Sequence, residues 1–264
     1  MLLRASGLRR FVFAAFAVTA ACSGPRDKPE QGNAAERPAT PAPKPVIVTE
    51  NVLDREGVIL ATFRTATAAA LGNDDRAAQQ ALNGRKFAVR LRFACPGMSD
   101  PTRSAAYDAK QQVLRVKVQS DLTGDKLPAS DLLRRDYEGA VGFMFGKPWL
   151  LAAGCPSPAF SAMSSAEPTI VLAQLFTAEE SRAQRPVATY QLTKAVKPED
   201  APQQGLDLVL SGRLAELSDG RPIHCAAADG PPACIVSGRI DRVAIEDPQN
   251  GEVLGQWGLG AGAR

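Results

Sequence analysis

The chain contains a single histidine, His224, in 264 residues. One imidazole excludes the metal motifs that need two, and it leaves a Ser-His-Asp arrangement one possible base. There is no CxxC pair, GxSxG nucleophile elbow, SxxK pair or P-loop. Aromatic residues make up only 6% of the chain, and the two tryptophans, Trp149 and Trp257, read as core. The glycine-rich stretch Gly258–Gly262 has no helix after it to hold an anion, so it reads as a tail. No sequence pattern implies a cofactor or a metal.

Net charge is also missing once the start of the chain is set aside. Residues 1–21 hold Arg4, Arg9 and Arg10 and no acid, so the 31 Lys+Arg fall to 28 beyond them, equal to the 28 Asp+Glu. A neutral chain offers no electrostatic basis for nucleic acid, which needs clustered cations. Carboxylate pairs occur at Asp74-Asp75, Glu179-Glu180 and Glu246-Asp247. Neighbours in sequence do not converge on one face, so these read as solvated turn residues.

What is present begins at the N-terminus. Arg9-Arg10 precedes an apolar run, Phe11 to Ala21, which ends at Cys22-Ser23-Gly24-Pro25. A basic start, an apolar stretch and small residues before a cleavage point are the parts of an export signal. The run is 11 residues, short of the ~20 needed to span a bilayer. Ala20-Ala21-Cys22 resembles a bacterial lipoprotein signal, and that resemblance covers residues 1–23 only. It implies cleavage before Cys22, lipid on its sulfur and a membrane partner through that anchor. Ser23 in place of Asp implies the outer membrane, on either its periplasmic or its surface face. A plain secretory leader cut near Ala21, or a twin-arginine signal, would carry the same export consequence.

Residues 23–45 contain prolines at 25, 29, 38, 41, 43 and 45 among small and charged residues. Such a segment lacks the apolar surface to offset ordering entropy, and it reads as a tether with a reach of about 70 Å. The expected organisation is a signal peptide over 1–21, a lipidated cysteine and tether over 22–45, and a β-rich domain over 46–264.

Four further cysteines remain: Cys95, Cys155, Cys225 and Cys234. An even number in an exported chain implies two disulfides, with three possible pairings. Cys225–Cys234 is favoured by the turn chemistry of Asp229-Gly230 and Pro231-Pro232, which leaves Cys95–Cys155. The rival reading, a metal held by His224 with Cys225 and Cys234, matches no zinc spacing.

Strand signals dominate after Gly84. Phe87, Val89, Leu91, Phe93 and Cys95 alternate with small or basic residues, as do Leu114, Val116 and Val118. Tyr107-Asp108 predicts a hairpin turning over 109–112. Val46–Val48, Ala140–Phe145, Trp149–Cys155, Thr169–Phe176, Val187–Leu192, Leu206–Leu217, Ala233–Glu246 and Glu252–Trp257 also read as strands. Glu179-Glu180-Ser181-Arg182 reads as a reversal between two of these strands, and Asp247–Gly251 as the last turn. Residues 74–82 form the best helical pattern, and 56–71 stand between strand and helix. The sum is eight to ten strands in an antiparallel β-sandwich or barrel-like domain, with one or two short helices near its start.

Ser211-Gly212-Arg213-Leu214 and Ser237-Gly238-Arg239-Ile240 echo each other 26 residues apart. They read as neighbouring antiparallel strands bent at their glycines. Arg213 and Arg239 then share one face as a candidate anion-binding surface, with Arg90 and Arg92 as further candidates. The functional expectation is a non-enzymatic envelope lipoprotein that binds another envelope protein or polymer, or supports an assembly. The alternatives are a hydrolase of envelope polymers using dispersed carboxylates, and a small-ligand or lipid carrier.

Overall fold

The alternation at Phe87, Val89, Leu91 and Phe93 forms a strand, β1 (Lys86–Phe93), whose apolar positions are all buried. The computed structural model describes residues 51–73, 75–122, 136–145, 154–155, 170–177, 179–180, 188–226 and 233–258. All belong to the unit running from Thr49 to Arg264. The signal, Cys22, the tether, Val46–Val48 and Trp149 lie outside the described residues.

Two helices precede β1. Residues 56–71 resolve as helix, α1 (Arg55–Ala70). The Asp54 carboxylate caps it by accepting from the Gly57 N–H at 2.8 Å. Val58, Ile59, Thr62, Thr65 and Ala66 form one buried stripe, and burying that stripe overrides the strand preference of its β-branched members. The helix expected over 74–82 shrinks to five residues, α2 (Arg76–Gln80). It is fixed by one side chain: Gln79 donates to Thr65 and accepts from the Ile223 N–H.

Two sheets follow, largely antiparallel. The smaller has the order β2 (Arg103–Asp108), β3 (Val113–Gln119), β6 (Thr189–Ala195), the first two joined as a hairpin over 109–112. The larger has seven strands, with β4 (Gly139–Met144), β5 (Ile170–Phe176), β7 (Leu206–Leu214), β8 (Ile223–Ala226), β9 (Ala233–Glu246) and β10 (Val253–Gly258) joining β1. Its order β1-β7-β9-β5-β4 leaves β1 and β4 at opposite ends, so the sheet is not a closed barrel. Both sheets feed one core, in which Tyr190 of β6 meets Phe143 of β4 and Trp257 of β10 at ring distances of 6.2 and 5.3 Å.

The 14-residue β9 is the spine of the larger sheet. Ser237 accepts from Ala215 and donates to Pro222, so β7 and β8 run end to end along one edge of β9. The other edge takes β5, in parallel, and β10. The β7–β9 register steps from Ser211 opposite Arg242 to Gly212 opposite Ile240, which leaves Asp241 as an unpaired bulge. The Asp247–Gly251 turn joins β9 to β10, with Gly251 at φ +72°.

Two expectations need correction. β5 and β6 do not form a hairpin: β5 pairs with β4 and β9, while β6 pairs with β3 in the other sheet. The short β8 was not anticipated, because Ile223-His224-Cys225-Ala226 is too brief for an alternation to show. The expected strand over Trp149–Cys155 falls outside the described residues except at Cys155.

The echoed glycines have a common cause. Gly212 lies opposite Phe87, and a Cβ added there would stand 2.9 Å from the Phe87 ring and 2.0 Å from the Arg239 carbonyl oxygen. A Cβ at Gly238 would meet the same ring at 2.9 Å. The pair of glycines makes the space that Phe87 fills.

Candidate anion-binding face

Strand pairing fixes which side chains share the face of β1, β7 and β9 that points away from Phe87 and the core, because directly paired residues point the same way. Four rows cross this face. The first is Lys86, Arg213, Arg239; the second is Ala88, Ser211, Arg242. Arg90, Val209, Ala244 form the third, and Arg92, Asp207, Glu246 the fourth. With the bulged Asp241 the face carries six cations and three carboxylates. It is net basic, in a chain that is neutral beyond its first 21 residues.

The charges are not spread evenly. At the fourth row Arg92 clamps Asp207, with Nε on Oδ1 at 2.6 Å and Nη2 on Oδ2 at 3.3 Å. Arg90 reaches Glu246 at 2.5 Å and Asp207 at 3.7 Å, and Arg242 approaches Glu246 at 3.8 Å. Asp207 and Glu246 are 3% and 7% exposed, so their cost of burial is offset by these contacts. Arg90 and Arg92 are therefore committed to carboxylates and not open to an outside anion. Glu246-Asp247 is not a solvated pair either: both residues are buried, and Asp247 accepts from the Gln249 N–H inside the final turn.

The first row is different. Arg213 and Arg239 are brought together as neighbours on one face, directly opposite each other, with Lys86 beside Arg213. Arg213 donates to the Gly84 carbonyl at 3.4 Å, and Arg239 has Asp241 at 3.9 Å with both side chains exposed. Like charges facing across strands cost stability. One row away, Arg242 Nε is buried with no hydrogen-bond partner.

Other candidates resolve differently. Cys95–Cys155 and Cys225–Cys234 are disulfides, with Cα–Cα distances of 5.6 and 4.1 Å. The second joins directly paired residues of β8 and β9 and removes both sulfurs as metal ligands. His224 lies on β8 with Nδ1 3.6 Å from Asp219. Among the described residues no three potential ligands cluster as a metal site. Glu179 and Glu180 are exposed, and Glu180 accepts from the Thr177 N–H.

A second charge cluster lies beneath the smaller sheet and was not anticipated. Arg103, 8% exposed, meets Asp100 at 3.0 Å and Asp121 at 3.4 Å, and donates to the Met144 carbonyl. Burial works to raise the Asp100 pKa, but hydrogen bonds from Thr102 and the charge of Arg103 outweigh it and hold the group below its ordinary value. Desolvation pushes the Tyr190 phenol up to about 12, and its hydroxyl is buried without a partner.

No family model matches the chain, nor does any curated protein or solved structure. The geometry alone therefore carries the functional reading. Lys86 was legible only as the residue before an expected strand; its place in the row follows from pairing with Arg213. Arg242 carried no sequence signal, because its position depends on the register of β9.

Proposed function

We propose that the chain is an exported envelope lipoprotein whose β domain works by binding a partner, not by catalysis. The observation that carries this reading is the pair of disulfides within the domain. Such bonds form and persist in oxidising compartments outside the cytoplasm. Among the described residues no helix is long and apolar enough to cross a membrane. A lipidated Cys22 would supply the attachment instead, and Ser23 favours the outer membrane.

Binding is preferred to hydrolysis because of where the acids stand. Asp100, Asp121, Asp207 and Glu246 each lie within 4 Å of an arginine. A carboxylate committed to a guanidinium is a poor choice for the general acid of a hydrolase. The carrier alternative gains little support, since Phe87, Phe143, Phe145, Phe176 and Tyr190 are fully buried in the core.

The test is the intact mass of the protein from a Gram-negative membrane fraction, alkylated with and without prior reduction. A mass that begins at Cys22 and carries acyl chains, with four thiols appearing only on reduction, supports the proposal. An uncleaved chain, or four thiols free before reduction, overturns it.

A further inference from the structure

We propose that the outward side of α1 seats the domain on the lipid surface that holds Cys22. The inference rests on the lipoprotein reading above and names the surface that its domain meets. Six large apolar side chains are exposed among the described residues, and four of them are Val52, Leu60, Phe63 and Leu71. At 3.6 residues per turn, Leu60, Phe63 and Leu71 fall within about 80° of one another. They lie opposite Val58, Ile59, Thr62, Thr65 and Ala66, which face the core. A helix that is apolar on both sides is normally buried on both. Here the core covers one side only.

Three observations name the occupant. The first is position in the chain. Only 28 residues separate Cys22 from Asn51, and α1 is the first helix or strand that follows among the described residues. A covalent link of that order holds a domain at roughly millimolar effective concentration over its anchor, so a contact of about millimolar affinity is enough. The second is size. Three side chains along about 17 Å of one helix fall far short of the ~1,200 Å² that a specific protein interface buries. A bilayer accepts apolar side chains without a matching shape. The third is charge. The exposed charges on this side are Glu56 and Arg64, one of each sign, so it has no call on anionic lipid. At 16 residues α1 is too short to cross a bilayer. It lies along the surface, its apolar side about 5–10 Å into the headgroup boundary.

The test uses the acylated chain purified from membranes, with both disulfides formed. It is reconstituted into vesicles of phosphatidylcholine brominated high on the acyl chains. The variants are F63W and L71W, with M98W as the control at an exposed apolar position outside α1. What is read is the emission each variant adds to that of Trp149 and Trp257, with and without bromine. The expected result is about twofold quenching of F63W and L71W, at the depth of an interfacial helix, and none of M98W. Adding phosphatidylglycerol, or about 1 M salt, should leave the quenching unchanged.

Quenching of F63W and L71W above that of M98W supports the inference. Equal quenching at all three positions, or none, overturns it. Added emission that shifts with protein density in bromine-free vesicles marks a second copy on α1 and also overturns it. The acyl mass at Cys22 is read separately, so each of these failures leaves the envelope reading standing. A chain without acyl groups overturns both.

Discussion

The two ends of one sheet face solve the same problem in opposite ways. At the Asp207–Glu246 end, arginines from β1 and β9 close on two buried carboxylates, and the cluster is charge-balanced to within one unit. At the Gly212–Gly238 end, Arg213 and Arg239 face each other across β7 and β9, with Arg213 donating to the Gly84 carbonyl at 3.4 Å and Asp241 3.9 Å from Arg239. The first end uses charge to hold strands together. The second leaves its charges exposed, where solvent screens them. The difference is one of burial: carboxylates taken out of water hold the first arginines in place, while the second keep solvent around them.

The sharpest way to break this comparison is D207N. It leaves Arg92, only 15% exposed at its side chain, without its clamp. A loss of about 3 kcal/mol is expected, the low end for breaking a buried pair because Arg90 is half solvated. Urea unfolding reads it, and a loss under about 1 kcal/mol would put this pair with ordinary surface bridges.

G212A attacks the other end from below. The new methyl meets the Arg239 carbonyl and the Phe87 ring, at a cost of about 2–3 kcal/mol. Urea unfolding measures it, and a loss under about 1 kcal/mol would mean that β7 and β9 yield at this point.

The Asp100–Arg103 cluster tests whether paired charge behaves alike in the smaller sheet. The Asp100 pKa is depressed in the fold, so this group contributes stability above its ordinary value of 3.8 and loses it as the pH falls through the lower folded value. Unfolding midpoints between about pH 5 and pH 2 should decline less steeply in D100N than in the unsubstituted chain. Parallel declines would mean that Asp100 is not the group being protonated.

The smallest effect has the opposite sign. R213Q should raise stability by roughly 0.2–1 kcal/mol, and about 1 M salt should erase the gain by screening the repulsion it relieves. A destabilised R213Q would mean that the row is structural after all.

Much of the fold was legible in the residues themselves. Period-two alternation marks β1 and β3 because each has one wet face and one dry face. β5 was legible as an apolar run because both its faces are covered, one of them by Leu122 and Leu217. What could not be read was partnership. β6 looks like the hairpin mate of β5, yet side chains alone do not say which sheet a strand joins. The same limit applied to the site. Arg213 and Arg239 were visible through the Ser-Gly-Arg echo, which exists because Phe87 needs two glycines beneath it. That Arg90 and Arg92 are occupied could not be read, since Asp207 and Glu246 lie more than 100 positions away in the chain.

The bulge at Asp241 works as a phase shift. Positions 239 and 242 are an odd interval apart, and in an unbroken strand an odd interval sends two side chains to opposite faces. The extra residue inserts half a period, so Arg239 and Arg242 emerge together while Ile240 and Val243 both stay in the core. Deleting Asp241 would make that interval even, and the regular ladder through Gly212 and Ser211 would then keep both arginines on the same face. What would go is the local bend and extra twist that a bulge adds to its strand. The bulge thus absorbs one surplus residue while Ile240 and Val243 stay in the core and Arg239 and Arg242 stay outside it.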